Sequence, residues 1–300
     1  MGRLTAIVLG AAAGGGFPQW NCRCEVCRLA WSGDPRVKSR TQASLAVSAD
    51  GENWILLNAS PDLRAQILAT PALRPLGQSR GSPIAAVVLT GAEVDQIAGL
   101  LTLRERQGFT VLATADTVAA IAANPIFTAL AGMVTRKSIA RDAAFCLPGG
   151  IDAELFAVPG KVALYLEGKT PALAAESGAN VGVELVYNSA RLCYVPGAAA
   201  ITPALRERLA RADVVFFDGT LFADDEMIAT GTGDKTGRRM GHMPLDGRDG
   251  TLIALAGLGG RRILTHINNT NPILIEGSAE RRKVEAAGFE IAEDGMEVAL

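Results

Sequence analysis

Short apolar runs recur along this chain, most of them stopping at a polar or glycine residue and several followed by a stretch of helical period. That alternation restricts the fold more than any other feature. Residues 84–90 read Ile-Ala-Ala-Val-Val-Leu-Thr, too short for a helix and apolar throughout, as a strand covered on both faces would be. Further strands are expected over 4–9, 44–48, 54–58, 111–113, 155–158, 162–166, 181–187, 191–195, 214–218, 262–267, 288–292 and 297–300. Asp50-Gly51 marks a hairpin turn between the second and third of these. Helices are expected at 61–68 behind Pro61, and at 95–106, 117–130, 203–211 and 252–258. No repeat or low-complexity tract divides the 300 residues, so a single α/β domain spanning 1–300, with mixed sheets and outer helices, is expected.

Composition narrows the function classes. Lys and Arg number 29 against 31 Asp and Glu, a formal charge of −2. No general phosphate-attracting field follows from that balance, and aromatics at 5% leave few platforms for stacking bases. No nucleic-acid partner is expected. No apolar run reaches the roughly 18–20 residues that span a bilayer. Arg3 is followed only by a short apolar run and then Gly14-Gly15-Gly16, which is not a secretory pattern. A cytoplasmic protein with no membrane span is the expectation.

Three of the five cysteines, Cys22, Cys24 and Cys27, fall within six residues. An odd count so clustered is a poor disulfide framework and a good clamp for a soft cation, although three ordinary reduced thiols are the plain alternative. Cys146 and Cys193 stand alone in apolar surroundings and read as small core residues. The glycine run at 14–16 lacks the Lys-Ser/Thr of a phosphate loop and opens no helix, so it reads as backbone packed closely under a site. His242 and His266 are the only histidines, and each could be a satisfied structural residue. His266, however, ends a strand and is followed by Ile267-Asn268-Asn269-Thr270-Asn271, a polar cluster with no packing purpose. Asp95 and Asp218 follow strands in comparable positions; either alone could be a helix cap.

The stretches AAAGGGFPQWNCRCEVC, RTQAS, NASPD, FFDGTLFADDEM, RRMGHMPL, LTHINNTNPIL and DGMEVAL closely resemble the family of coenzyme PQQ synthesis protein B, from end to end. The resemblance implies the metallo-β-lactamase αββα sandwich, two mixed sheets flanked by helices with metal at one edge. It implies a structural zinc on the loop at about 20–28, held by Cys22, Cys24 and Cys27. In related phosphodiesterases a late-loop histidine completes such a site, and His242 occupies that place; a closed four-ligand site is structural rather than catalytic.

At the second site the chain departs from its superfamily. The hydrolase motif His-x-His-x-Asp-His falls on Gly91-Ala92-Glu93-Val94-Asp95-Gln96, and the Gly-Asp-Thr that supplies a bridging carboxylate reads Gly197-Ala198-Ala199. A two-metal hydrolase is therefore not expected. What remains is an iron-type site of Asp95 and His266, with Gln96 and Glu93 as further candidate ligands and Asp95, His266 and Asp218 as the catalytic set. The family is proposed to hydroxylate, with Fe(II) and O₂, the tyrosine ring of a cross-linked Glu-Tyr precursor of PQQ. Arg238, Asn268, Asn269 and Asn58 are then expected to orient substrate. The alternative implied by the resemblance is a non-enzymatic carrier that binds PQQ or its precursor and assists transport to the periplasm. Expected partners are the small-molecule substrate, other PQQ-biosynthesis proteins and a second copy in a homodimer.

Overall fold

Alternation along each strand decides which layer its side chains enter. In β10 (Ala190–Val195), Leu192 and Tyr194 face one cluster while Cys193 and Val195 face another, the two-residue period of an extended chain. The computed structural model describes residues 2–75, 77, 79–169 and 172–300. Its first seven-stranded sheet comprises β1 (Thr5–Gly10), β2 (Ser44–Ser48), β3 (Trp54–Leu57), β4 (Ile84–Val88), β5 (Phe109–Ala113), β6 (Val134–Ser138) and β14 (Glu297–Ala299), in the order β14-β1-β2-β3-β4-β5-β6. The second comprises β7 (Ala144–Leu147), β8 (Ile151–Ala157), β9 (Val181–Tyr187), β10, β11 (Val214–Asp218), β12 (Arg261–Thr265) and β13 (Glu290–Ile291), in the order β13-β12-β11-β10-β9-β8-β7. Each sheet is antiparallel on one side and parallel on the other.

Between the sheets lie Leu45, Val47, Ile55, Leu57 and Val88 from one face and Leu155, Val183, Leu185, Leu192, Tyr194 and Phe216 from the other. The outer face of the first sheet carries Leu56, Val87 and Leu89 against Ile97, Leu100 and Ile121. That of the second carries Val195, Val215, Phe217 and Leu264 against Leu205, Leu209, Leu252 and Val284. Helix, sheet, sheet and helix therefore stack as four layers, the αββα sandwich expected from the sequence.

Several expectations are corrected. Residues 162–166 form no strand; Leu164–Leu166 is one 3₁₀ turn, because the Glu93 carboxylate accepts the Leu164 N–H at 3.1 Å and pulls the segment off any ladder. The helix at 95–106 is only Val94–Ile97, followed by a 3₁₀ stretch Ala98–Leu103 whose Gly99 N–H donates instead to Ala59. The helix at 117–130 runs Ala115–Ala122 and breaks before Pro125, which cannot donate to a helix ladder. Cys193 is buried as expected, but Cys146 is exposed on the edge strand β7.

Candidate metal centre and cavity

The parallel half of the second sheet delivers the site. β11 and β12 run in register with Asp218 beside Thr265, so the next residue along β12, His266, emerges next to Asp218. His266 is held at φ +56°, a left-handed conformation uncommon for a side-chain-bearing residue. The polypeptide after it is knit to the end of β11: the Asn268 N–H donates to the Thr220 carbonyl at 3.0 Å, and Asn271 Nδ2 donates to the Gly219 carbonyl at 2.9 Å. His242 comes from the loop after the short helix Gly237–Met240, which ends on Gly241 at φ +90°. A Cβ there would also press on the Lys161 stem at 3.1 Å, so the turn that presents His242 requires glycine.

Asp218, His242 and His266 each place one ligand atom within 4.8 Å of the others, and the two imidazoles stack with centroids 5.1 Å apart. Asp218 is fully buried. Its Oδ2 accepts from His242 Nδ1 at 2.7 Å and from the Ala198 N–H at 2.8 Å, and its Oδ1 accepts from the Thr220 hydroxyl at 2.6 Å. His266 is gripped from both sides, Nε2 at 2.9 Å from Asp95 Oδ2 and Nδ1 at 2.8 Å from Thr220 Oγ1. Burial alone would raise the Asp95 and Asp218 carboxyls, but their imidazole partners outweigh it and hold both below the ordinary carboxylate range. Burial likewise disfavours charge on His266, yet the hydrogen bond and charge of Asp95, with Asp218 beyond, raise its pKa above that of a free imidazole.

Asp95, His242 and His266 line a cavity of about 470 Å³ together with Gly14, Gln96 and the strap at 160–165, and Asp218 lies buried behind them. The strap is latched at three points. Lys161 Nζ lies 3.1 Å from Glu93 and 2.9 Å from Glu167, Arg239 reaches Glu167 at 3.1 Å, and the Tyr165 hydroxyl donates to the Ala92 carbonyl at 2.9 Å.

The sequence expectations divide accordingly. Asp95, His266 and Asp218 meet as one cluster. His242, assigned to the cysteines, is instead bonded to Asp218 and stacked on His266. The sulfurs of Cys22, Cys24 and Cys27 do gather within 4.8 Å, but the side chain against them is Asn269, whose Nδ2 lies 3.1 Å from Cys22 Sγ and 3.3 Å from Cys27 Sγ. Asn269 is thus withdrawn from the cavity, as are the other expected substrate contacts. Asn268 bonds Thr270 at 2.6 Å, Asn58 clamps Thr90 between β3 and β4, and Arg238 borders a separate surface hollow with Asp249. Gln96 lines the cavity but spends its Oε1 on the Glu93 N–H as a helix cap, and Glu93 holds the strap. Histidine could not simply return at position 91: a Cβ there would sit 2.6 Å from Gln96 Oε1 and 2.9 Å from the Ala179 carbonyl. Thr220 and Lys161 were missed. The first follows a buried carboxylate by two residues, a spacing that favours a hydroxyl bonding back to it, whereas nothing in the sequence around Lys161 marks it.

A two-sheet sandwich with imidazoles and carboxylates at its strand ends places the chain among metallo-β-lactamase-fold proteins, and residues 53–267 match the beta-lactamase superfamily domain. The chain is 54% identical over 299 residues to coenzyme PQQ synthesis protein B of Methylobacterium sp. (strain 4-46), covering 99% of this chain and 100% of that one. It is 55% identical to the same protein of Rhizobium meliloti (strain 1021), covering 99% and 98%. The crystal structure of Zn²⁺-bound PqqB from Methylobacterium extorquens superposes with a TM-score of 0.97 at 50% identity, covering 99% and 100%. The chain belongs to the coenzyme PQQ synthesis protein B family.

Proposed function

We propose that this protein carries out an oxidative step of PQQ biosynthesis, the iron- and O₂-dependent hydroxylation of the tyrosine-derived ring of a cross-linked Glu-Tyr precursor. The observation that carries this reading is the convergence of His242 and His266 on the wall of one cavity with the Asp218 carboxylate buried behind them, two imidazoles and a carboxylate. That donor set fits a ferrous ion, which when bound with open positions supplies O₂ activation. Thr220 bonds Nδ1 of His266 and fixes its ring, as the outer partner of a ligand does, while Nε2, paired with Asp95, is the nitrogen a cation would take. Asp95 also lines the cavity and is placed to accept the proton that the ring carbon loses. The balance is one ring C–H converted to C–OH and the second oxygen leaving as water, with two electrons from an external reductant and two protons taken up.

A tricarboxylate carrier would gather several Arg or Lys side chains, and among the described lining residues Lys161 is the one such cation. At the cysteines, three thiols offer a sulfur-rich set suited to zinc, with the Asn269 amide donating to the sulfurs. Burial pushes the Cys24 thiol up to about 12, so a bound cation is what would hold it as thiolate.

Anaerobic reconstitution with Fe²⁺, followed by O₂ and the Glu-Tyr precursor, tests the reading. One iron per chain and a product heavier by one oxygen are expected. Tight PQQ binding with neither iron uptake nor product would overturn it in favour of the carrier.

A further inference from the structure

Lys161 is built into the cavity more carefully than a surface cation would be. Its side chain is only 9% exposed, yet it lines the same cavity as Asp95, His242 and His266. The stem lies over Gly241, where a Cβ would meet Lys161 Cγ at 3.1 Å, so the residue that turns His242 inward also leaves room for this lysine.

An ammonium group has three donors. Here one goes to Glu93 Oε1 at 3.1 Å and one to the Val162 carbonyl at 3.2 Å. Glu167 Oε1 lies 2.9 Å away but off the angle of a hydrogen bond, and it has no hydrogen-bond partner among the described residues. Charge holds that pair, while the third donor lacks an aligned acceptor. Glu93 keeps a second set of partners in the Leu164 N–H, at 3.1 and 3.2 Å, and Glu167 keeps Arg239. A carboxylate arriving from the cavity can therefore replace Glu93 on Lys161 without unlatching the strap. The walls beside it, Val94, Leu164 and Tyr165, are apolar and suit a ring rather than a second charge.

We propose that Lys161 is a specificity-determining residue that binds one carboxylate of a ring-bearing substrate, with Glu93 as the internal carboxylate it exchanges. This rests on the reading of the cavity as the PQQ-precursor site. In that exchange an internal ion pair is traded for a substrate ion pair, so the cavity selects for a negative group without leaving a lysine unpaired when empty.

Titration calorimetry of the full chain with PQQ and with its trimethyl ester, a ligand of the same shape without the charges, tests the assignment. Lys161→Met should weaken PQQ binding at least about tenfold, the scale of one charge-assisted hydrogen bond, and the ester by less than about twofold. Glu93→Gln removes the competing charge and should tighten PQQ binding several-fold; it carries the test should Lys161→Met fail to fold. Equal losses for PQQ and ester, or none for PQQ, would overturn the role of Lys161 and leave the cavity reading standing. A wild-type protein that binds neither ligand would likewise overturn the assignment of Lys161, while the precursor reading stands or falls separately on iron uptake and product formation.

Discussion

Two residues of one loop, Ile267 and Asn268, separate two chemically opposite clusters. His266 turns into the cavity, where imidazoles and carboxylates already hold one another by hydrogen bonds and one side faces open space. Asn269 turns the other way, onto three sulfurs that are mostly buried. The cavity cluster is pre-ordered by its own ion pairs and leaves room for a ligand. The cysteine cluster is held by hydrogen bonds to the Asn269 amide and carbonyl rather than by ion pairs, and burial disfavours ionisation of Cys24 and Cys27. The comparison teaches that two clusters fed by one loop are ordered by different means, the first by imidazole–carboxylate pairs and the second by a single amide laid over sulfur.

His242 is the residue that would break this contrast most sharply, since the family resemblance placed it at the cysteines. His242→Ala is expected to lower iron-dependent turnover by about 100-fold or more while zinc content and melting temperature hold steady. Loss of zinc with turnover retained would return His242 to the sulfur site. Cys24→Ser should do the reverse, removing zinc and lowering Tm by roughly 5–10 °C, as a loss of about 3 kcal/mol would in a chain of this size. Metal analysis beside a thermal melt separates the two variants.

A smaller effect sharpens the cysteine side. Glu226 adjoins Cys24 in one surface groove, accepts from the Phe222 N–H at 2.8 Å and pairs with Thr270 at 2.5 Å. Burial raises its carboxyl pKa to about 7, against the lowering effect of those hydrogen bonds. Between the ordinary glutamate range and pH 7 the folded chain therefore holds this proton more tightly than the unfolded one. Stability should fall as pH rises through that window and level off above it, by on the order of 2 kcal/mol. Glu226→Gln should flatten the slope, as read by denaturant unfolding at pH 5, 6, 7 and 8. An unchanged slope would assign the pH dependence elsewhere.

Much of the sandwich is legible in the sequence because burial on both faces writes itself as short apolar runs: 44–48, 181–187 and 214–218 match their strands residue for residue. The same rule misleads at 162–166, where an equally apolar run is a strap captured by Glu93, a contact made 71 residues away and invisible to periodicity. Cys146 is misplaced for a related reason: an edge strand alternates like a central one, but one of its faces meets solvent. Of the site, Asp218 and His266 were readable as polar groups ending apolar strands, and Asp95 as a carboxylate shortly after one. The partners of His242 and the asparagines were not, because a side chain's direction at a loop is set by tertiary pairing. Asn58 and Asn271 tie their loops to Thr90 and Gly219, and Asn268 bonds Thr270, roles that a list of polar residues near a strand end does not distinguish from substrate contacts.

The meeting of the cysteine loop with Asn269 has a consequence in time. Cys24 and Asn269 lie 245 residues apart in the chain. A ribosome adding about 5–20 residues per second needs roughly 10–50 s to make the intervening polypeptide. During that interval the three thiols have emerged while the side chain that covers them does not yet exist. Whatever metal or oxidant they meet first, they meet without their cover, so the fidelity of this corner of the protein is decided during synthesis by the order in which its halves appear.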